Sequence, residues 1–162
     1  MRVSDQSTHR RTEFSVQVNW SRARTFSVRQ RFWIRDKVPD VAGTYVIYLR
    51  DGTYSYGRRK QSPIVYFGSG WINQRLFHHL DKQENPILAK FLDHQETLLV
   101  RWAAIEDEDN EDWPVVTESL FILEFTRLFG ELPPANRIQP PQRRMRDSSV
   151  FQQHPIDVFE DL

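Results

Sequence analysis

The stretch Gly43-Thr-Tyr-Val-Ile-Tyr-Leu49 is so rich in β-branched and aromatic side chains that it reads as a strand. Asp51-Gly52, a strong hairpin signal, follows it, and a second apolar run, Ile64-Val-Tyr-Phe67, comes after a long polar, basic excursion. Two strands joined as a hairpin favour a small antiparallel or mixed sheet with helices packed on it over a parallel, doubly wound sheet. Gly68-Ser-Gly70 then breaks the chain ahead of a helix at about 71–80, and Asn85-Pro86 opens a second helix near 86–94. Residues 97–105 form a third strand, and a helix over roughly 113–129 is stopped by Gly130 and Pro133-Pro134. The expected fold is α+β, a three-stranded, mostly antiparallel sheet flanked by helices. Alternation of Phe14, Val16, Val18 and Trp20 adds a possible N-terminal strand. Residues 1–37 read as a basic extension, 38–138 as the folded domain and 139–162 as a Pro/Gln/Arg-rich tail.

The 162 residues are 39% hydrophobic, with 11 Phe and 5 Trp, enough for the core of one domain. No apolar run is long enough to span a bilayer, and the polar, arginine-bearing N-terminus is unlike a secretory signal. Without cysteine there is no disulfide, thiol nucleophile or Cys-ligated zinc. A soluble, cytoplasmic protein is expected. The formal net charge of zero conceals segregation: of 22 basic residues 18 are Arg, and residues 1–40 hold nine basic groups against four acids. Further clusters are Arg58-Arg59-Lys60 and Arg143-Arg144-Met-Arg146, balanced by the acidic loop 106–112 and the last residues. Guanidinium groups grip phosphate with two prongs, so arginine patches suit nucleic acid; the plainer reading is a solvated mixed-charge surface.

Two helices carry polar residues where apolar ones belong. Over 71–80, Ile72, Leu76, Phe77 and Leu80 define a buried stripe, and Arg75 and His79 fall on its shoulder, four residues apart and so neighbours on one face. They suggest a polar cleft, against the alternative of an arginine that reaches round to water. In the long helix, Glu118 falls at the centre of the face built by Phe121, Ile122, Phe125 and Phe129. An unpaired carboxylate there needs a cation, for which a divalent metal is suited, or else a favourable helix-terminal position. Glu124, three residues before Arg127, reads as a surface ion-pair partner.

Together these elements resemble the GIY-YIG nuclease superfamily. Gly43-Thr44-Tyr45 and Tyr66-Phe67-Gly68 resemble the two halves of its motif, and Gly68-Ser-Gly-Trp-Ile-Asn-Gln-Arg75 through His79 is similar to the stretch after it. Glu118-Ser-Leu-Phe-Ile122 resembles the family's metal-binding segment, and Pro133-Pro-Ala-Asn136 its closing element; the likeness covers about residues 38–138. There are departures. Thr44 and Phe67 replace the isoleucines, 20 residues separate Tyr45 from Tyr66, Arg75 comes one position early, and Glu118 precedes Asn136 by 18 positions where Glu124 would fit the commoner dozen.

The resemblance implies a phosphodiesterase acting on double-stranded or branched DNA with one divalent ion, Mg²⁺ or Mn²⁺, anchored by Glu118. It implies Tyr45 as general base, Tyr66 and His79 as groups that position or relay its proton, Arg75 on the scissile phosphate, and Asn136 as an orienting residue. Arg58, Arg59 and Lys60 would add phosphate contacts, and Tyr54 and Tyr56 on the enlarged hairpin could reach a groove or stack on bases. The competing readings are a non-catalytic nucleic-acid-binding module on the same scaffold and a protein-interaction domain whose acidic loop meets a basic partner.

Overall fold

The computed structural model describes residues 18–57, 60–80, 84–94, 97–105 and 113–137. In chain order they form β1 (Arg24–Phe26), a 3-10 turn (Val28–Gln30), α1 (Arg31–Lys37), β2 (Ala42–Leu49), β3 (Tyr54–Tyr56), β4 (Lys60–Ser62), β5 (Ile64–Trp71), α2 (Ile72–Leu80), α3 (Pro86–Asp93), β6 (Leu98–Ala104) and α4 (Trp113–Phe129). Arg58, Arg59, the acidic loop 106–112, residues 14–17 of the expected first strand and the tail 139–162 lie outside the described residues.

The fold is α+β. An antiparallel sheet in the order β1-β6-β2-β5 lies between helices, and β3 pairs with β4 in a small second sheet. β2 is central and buried on both faces, as its apolar composition requires. Its residues Tyr45, Ile47 and Leu49 meet Ile72, Leu76 and Leu80 of α2 and Leu88 of α3. Val46 and Tyr48 meet Phe121, Ile122 and Phe125 of α4 on the other side. Each such fully buried aliphatic or aromatic side chain contributes roughly 1.5–3 kcal/mol.

The N-terminal strand exists, but at 24–26; Val18 to Trp20 are irregular. Residues 24–37, which read from sequence as part of a basic extension, contain β1 and α1. β1 is only three residues long, and its alternation is hidden among arginines. It is specified by tertiary pairing of Arg24, Thr25 and Phe26 with Val100, Leu99 and Leu98. Phe26 and Ile34, both fully buried, join the same core as β2.

The polar excursion between β2 and β5 also folds. Tyr56 is buried, its hydroxyl donating to the Ile64 carbonyl at 2.6 Å and its ring packing 5.0 Å from that of Phe125. Of the two tyrosines expected to reach nucleic acid, Tyr56 is therefore committed to the core, while Tyr54 remains 40% exposed. Among the described residues no helix is long and apolar enough to cross a membrane.

Two local features of β5 shape its surroundings. Pairing shifts between Ile47↔Tyr66 and Tyr48↔Ile64, so Val65 is an extra residue. The bulge lets Val65 and Tyr66, though consecutive, both join the core on the α2 side. β5 is also the edge strand of its sheet, and its outer edge is covered by the turn after α4. Ala135 N–H donates to the Val65 carbonyl at 3.0 Å. The Asn136 amide donates to the Phe67 carbonyl at 2.8 Å and accepts from the Phe67 N–H at 2.9 Å, completing the ladder as a neighbouring strand would.

Candidate active site

Tyr45 lies directly opposite Gly68 in the β2–β5 register. Its ring crosses the glycine closely: a Cβ on residue 68 would fall 2.3 Å from the Tyr45 Cζ and 2.4 Å from its Oη. With no side chain in the way, the phenol passes over β5 to α2. There its Oη meets His79 Nε2 at 2.7 Å. Tyr66 completes a cluster of rings, its centroid 6.0 Å from that of Tyr45 and 4.9 Å from that of His79. Both Tyr45 and His79 are fully buried, and Tyr66 nearly so.

His79, expected on the shoulder of the α2 stripe, is thus inside the core. Burial, then the nearby Arg75 and His78, push its pKa down to about 3, so the ring is neutral. Its Nδ1 is buried and has no hydrogen-bond partner among the described residues. A proton on Nδ1 would strand a donor, which costs more than stranding a lone pair. The proton therefore belongs on Nε2, which donates to the Tyr45 oxygen and leaves the phenol's own proton to point elsewhere.

Arg75 stands one turn before His79 on α2. Its Nη1 donates to Glu84 Oε1 at 2.6 Å, and its side chain is 38% exposed. Gly70, at φ +117, turns the chain so closely beneath it that a Cβ there would lie 3.2 Å from Arg75 Cγ. Burial, then Tyr66, push the Tyr45 pKa well above its ordinary value, while Arg75 opposes the rise through charge and hydrogen bonding. Tyr66 is raised as well, by burial and then by the charge of Glu118, against the same arginine.

Glu118 reaches the site from α4. Residues 67 and 69 of β5 point to the α4 side, and the Ser69 hydroxyl donates to Glu118 Oε2. Burial raises the Glu118 pKa, with Ser69 and then Arg75 opposing. Since β5 is an edge strand, with glycines on either side of Ser69, the acid on one face acts electrostatically on the tyrosines and arginine of the other. Glu124 is engaged instead with Arg127, whose Nε donates to Oε2 at 2.8 Å, as their spacing predicts.

The structure thus brings Tyr45, Tyr66, Arg75, His79 and Glu118 into one neighbourhood. Asn136 stands apart from it on the outer edge of β5, bound to Phe67 between Tyr66 and Gly68. It positions the strand rather than any reacting group. Asn136→Ala strands two buried backbone groups and is expected to cost about 2–4 kcal/mol in urea melts. Asn136→Asp keeps the acceptor but sets a carboxylate oxygen against the Phe67 carbonyl, and should be at least as damaging as Asn136→Ala at neutral pH. Lys60 is exposed at the hairpin end of the sheet, its Nζ 5.9 Å from the Phe129 ring centroid, away from the site.

Sequence reading missed Ser69 and Glu84. Ser69 had a usable signal, since strand alternation from the apolar Phe67 places it on the α4 side. Glu84 had none. Among the described residues no three His, Asp or Glu side chains converge as metal ligands. Comparisons with family models, curated proteins and solved structures find no match to the chain, and the site has to be read from its own residues.

Proposed function

We propose that this chain is a metal-dependent nuclease of the GIY-YIG type, hydrolysing DNA phosphodiester bonds. The observation that carries the reading is a half-buried acid that, among the described residues, forms no ion pair, beside a hydrogen-bonded phenol. Glu118 is bound by a serine hydroxyl, and the cation acting on it, Arg75, is held by Glu84, while Tyr45 is hydrogen-bonded to a neutral imidazole. Burying such a carboxylate is costly unless it is protonated or meets a positive charge. A divalent ion fits that need, since Mg²⁺ is commonly held by one or two carboxylates and otherwise by water and substrate phosphate. When bound, it would supply charge neutralisation at the scissile phosphate and at the departing oxygen.

The chain's own residues would do the rest. Arg75, partly exposed, would bind the phosphate with the donors that Glu84 leaves free. Tyr45 Oη, as phenolate, would take a proton from the attacking water as the water oxygen bonds to phosphorus and the bond to the 3′ oxygen breaks, the departing 3′ oxygen taking its proton from solvent. His79 Nε2–H would stabilise the phenolate by donating to it, and the Tyr66 ring would hold both groups in place.

The test uses supercoiled plasmid with purified protein in Mg²⁺, in Mn²⁺ and in EDTA. Nicking in either metal, absent in EDTA, is expected. Glu118→Gln should lower it by at least about a hundredfold, whereas Glu124→Gln should leave it unchanged. A wild-type protein that never nicks DNA, or a Glu118→Gln variant as active as wild type, would overturn the reading.

A further inference from the structure

The arginine-rich segment ahead of β2 has no role in the site, yet it is built onto it. α1 is bound to α2 by one side chain: Asn73 Nδ2 lies 2.7 Å from the Arg35 carbonyl, 2.9 Å from that of Val38 and 3.2 Å from that of Ile34. Arg75 is two residues further along the same helix. On α1, Phe32 is 51% exposed, an unusual placement for a phenylalanine with a core so near. Two guanidinium groups cover it: Arg31 Cζ lies 4.7 Å and Arg35 Cζ 5.3 Å from its ring centroid. Six basic residues occur between positions 22 and 37, Arg22, Arg24, Arg29, Arg31, Arg35 and Lys37, and all are exposed. Asp36, bound to Arg35 at 3.2 Å in an exposed pair, and Asp40 oppose them. Such an exposed pair is weak enough to yield to a phosphate.

A guanidinium stacked on an aromatic ring uses its face and keeps its in-plane N–H groups free, and those groups match phosphate oxygens. An exposed ring flanked by phosphate-binding groups has the chemistry of a strand-binding platform, in which the ring stacks on a base and the charges follow the backbone. A base within a duplex has both faces covered by its neighbours, so such a ring selects unpaired bases. Five of the six cations are arginine, which favours planar, two-pronged phosphate recognition over the diffuse attraction of an anionic membrane.

We infer that α1 is a binding platform for unpaired nucleic acid, with Phe32 stacking on a base and Arg31 and Arg35 holding the flanking phosphates. Unpaired segments held there would favour flaps, forks or single strands as substrates of the proposed nuclease. The inference extends the nuclease reading by naming the form of substrate.

The test measures binding of the full chain in EDTA, so that no cleavage is needed. The probes are fluorescein-labelled oligothymidine, a blunt duplex, and the same duplex with a single-stranded flap. Wild type is expected to prefer oligothymidine and the flap over the blunt duplex. Phe32→Ala should weaken binding to those two by about tenfold and leave the blunt duplex unchanged, and Phe32→Trp should restore it. Arg31→Gln with Arg35→Gln should reduce the salt dependence of oligothymidine binding by about 1.4, some 0.7 for each lost charge. Because these side chains are exposed, thermal melts should stay unchanged. Equal oligothymidine affinity in wild type and Phe32→Ala overturns the platform. So does wild-type protein that ignores all three probes, whether or not it binds phosphatidylserine vesicles. A protein that shows the expected pattern in EDTA but never cleaves in Mg²⁺ keeps the platform and loses the nuclease reading. One that cleaves without the pattern does the reverse.

Discussion

Tyr45→Phe, the loss of a single oxygen atom, is expected to slow single-turnover plasmid nicking by about a thousandfold, within the usual range for removing a general base. The ring stays, so the packing against Tyr66 and across Gly68 is kept; the hydrogen bond to His79 Nε2 is lost. Stability should change by only about 1–2 kcal/mol, the cost of leaving one buried donor without its partner. Activity and stability therefore separate. The pH dependence sharpens the test. Burial, then Tyr66, hold the Tyr45 pKa well above its ordinary value, with Arg75 pulling it down. If the phenolate is the reacting form, only a small fraction is present at neutral pH, and that fraction grows tenfold with each pH unit below the pKa. Wild-type nicking at saturating Mg²⁺ should rise with a slope near one from neutral to mildly alkaline pH, and the residual activity of Tyr45→Phe should be flat. A variant within tenfold of wild type, or one with the same pH slope, would remove Tyr45 from the chemistry.

Gly68→Ala should be among the most damaging one-carbon changes in the described chain, beside Gly43→Ala, whose Cβ would lie 2.1 Å from the Ala103 carbonyl oxygen. The methyl added at residue 68 would lie 2.3 Å from Tyr45 Cζ, and Tyr45 is fully buried with no room to retreat. Overpacking of this kind costs about 1–3 kcal/mol and sometimes more, and with a ring rather than a flexible chain end as the obstacle the upper end is expected. The phenol must tilt away, which breaks its contact with His79. Midpoints of urea unfolding should fall accordingly, and nicking should drop by more than the unfolded fraction explains. Gly52→Ala is the control, because a Cβ there meets nothing within 4 Å, although its positive φ carries a modest backbone cost. If Gly68→Ala matches wild type in both measurements, the close crossing of ring and strand has no energetic importance.

The range of the forces involved decides which parts of the molecule are legible in its sequence. β2, β5, β6 and the helices α2, α3 and α4 are visible there because each is long enough for periodicity and end signals to add up. Asn85-Pro86 is an instance: the Asn85 side chain accepts from Leu88 N–H at 3.0 Å and caps α3 where the dipeptide indicated. β1 and α1 escape because three and seven residues among arginines carry too little local signal, and their identity comes from pairing with β6 and docking on α2. In the site, Tyr45, Tyr66, Arg75 and His79 sit within one hairpin and the next helix, so local order specifies their proximity. Ser69 and Glu84 act through contacts that only the folded chain makes. The position of Asn136 on a strand edge, 69 residues from Phe67, depends on β5 being outermost, which no local pattern encodes.

The route by which α4 enters the fold has a bearing on when the protein can act. The phenols, imidazole and guanidinium come from one contiguous stretch, residues 45–79, about a fifth of the chain, while the acid arrives from a helix 49 residues beyond its serine partner. Contacts between near neighbours form early, because closing short loops loses little entropy, whereas docking a distant helix comes at greater entropic expense. A nascent or partly unfolded molecule would thus hold the basic and phenolic half of the machinery without its anionic half. On the proposed reading, hydrolytic competence and completion of the native state would coincide, and chains caught midway through synthesis would pose no threat to the genome that encodes them.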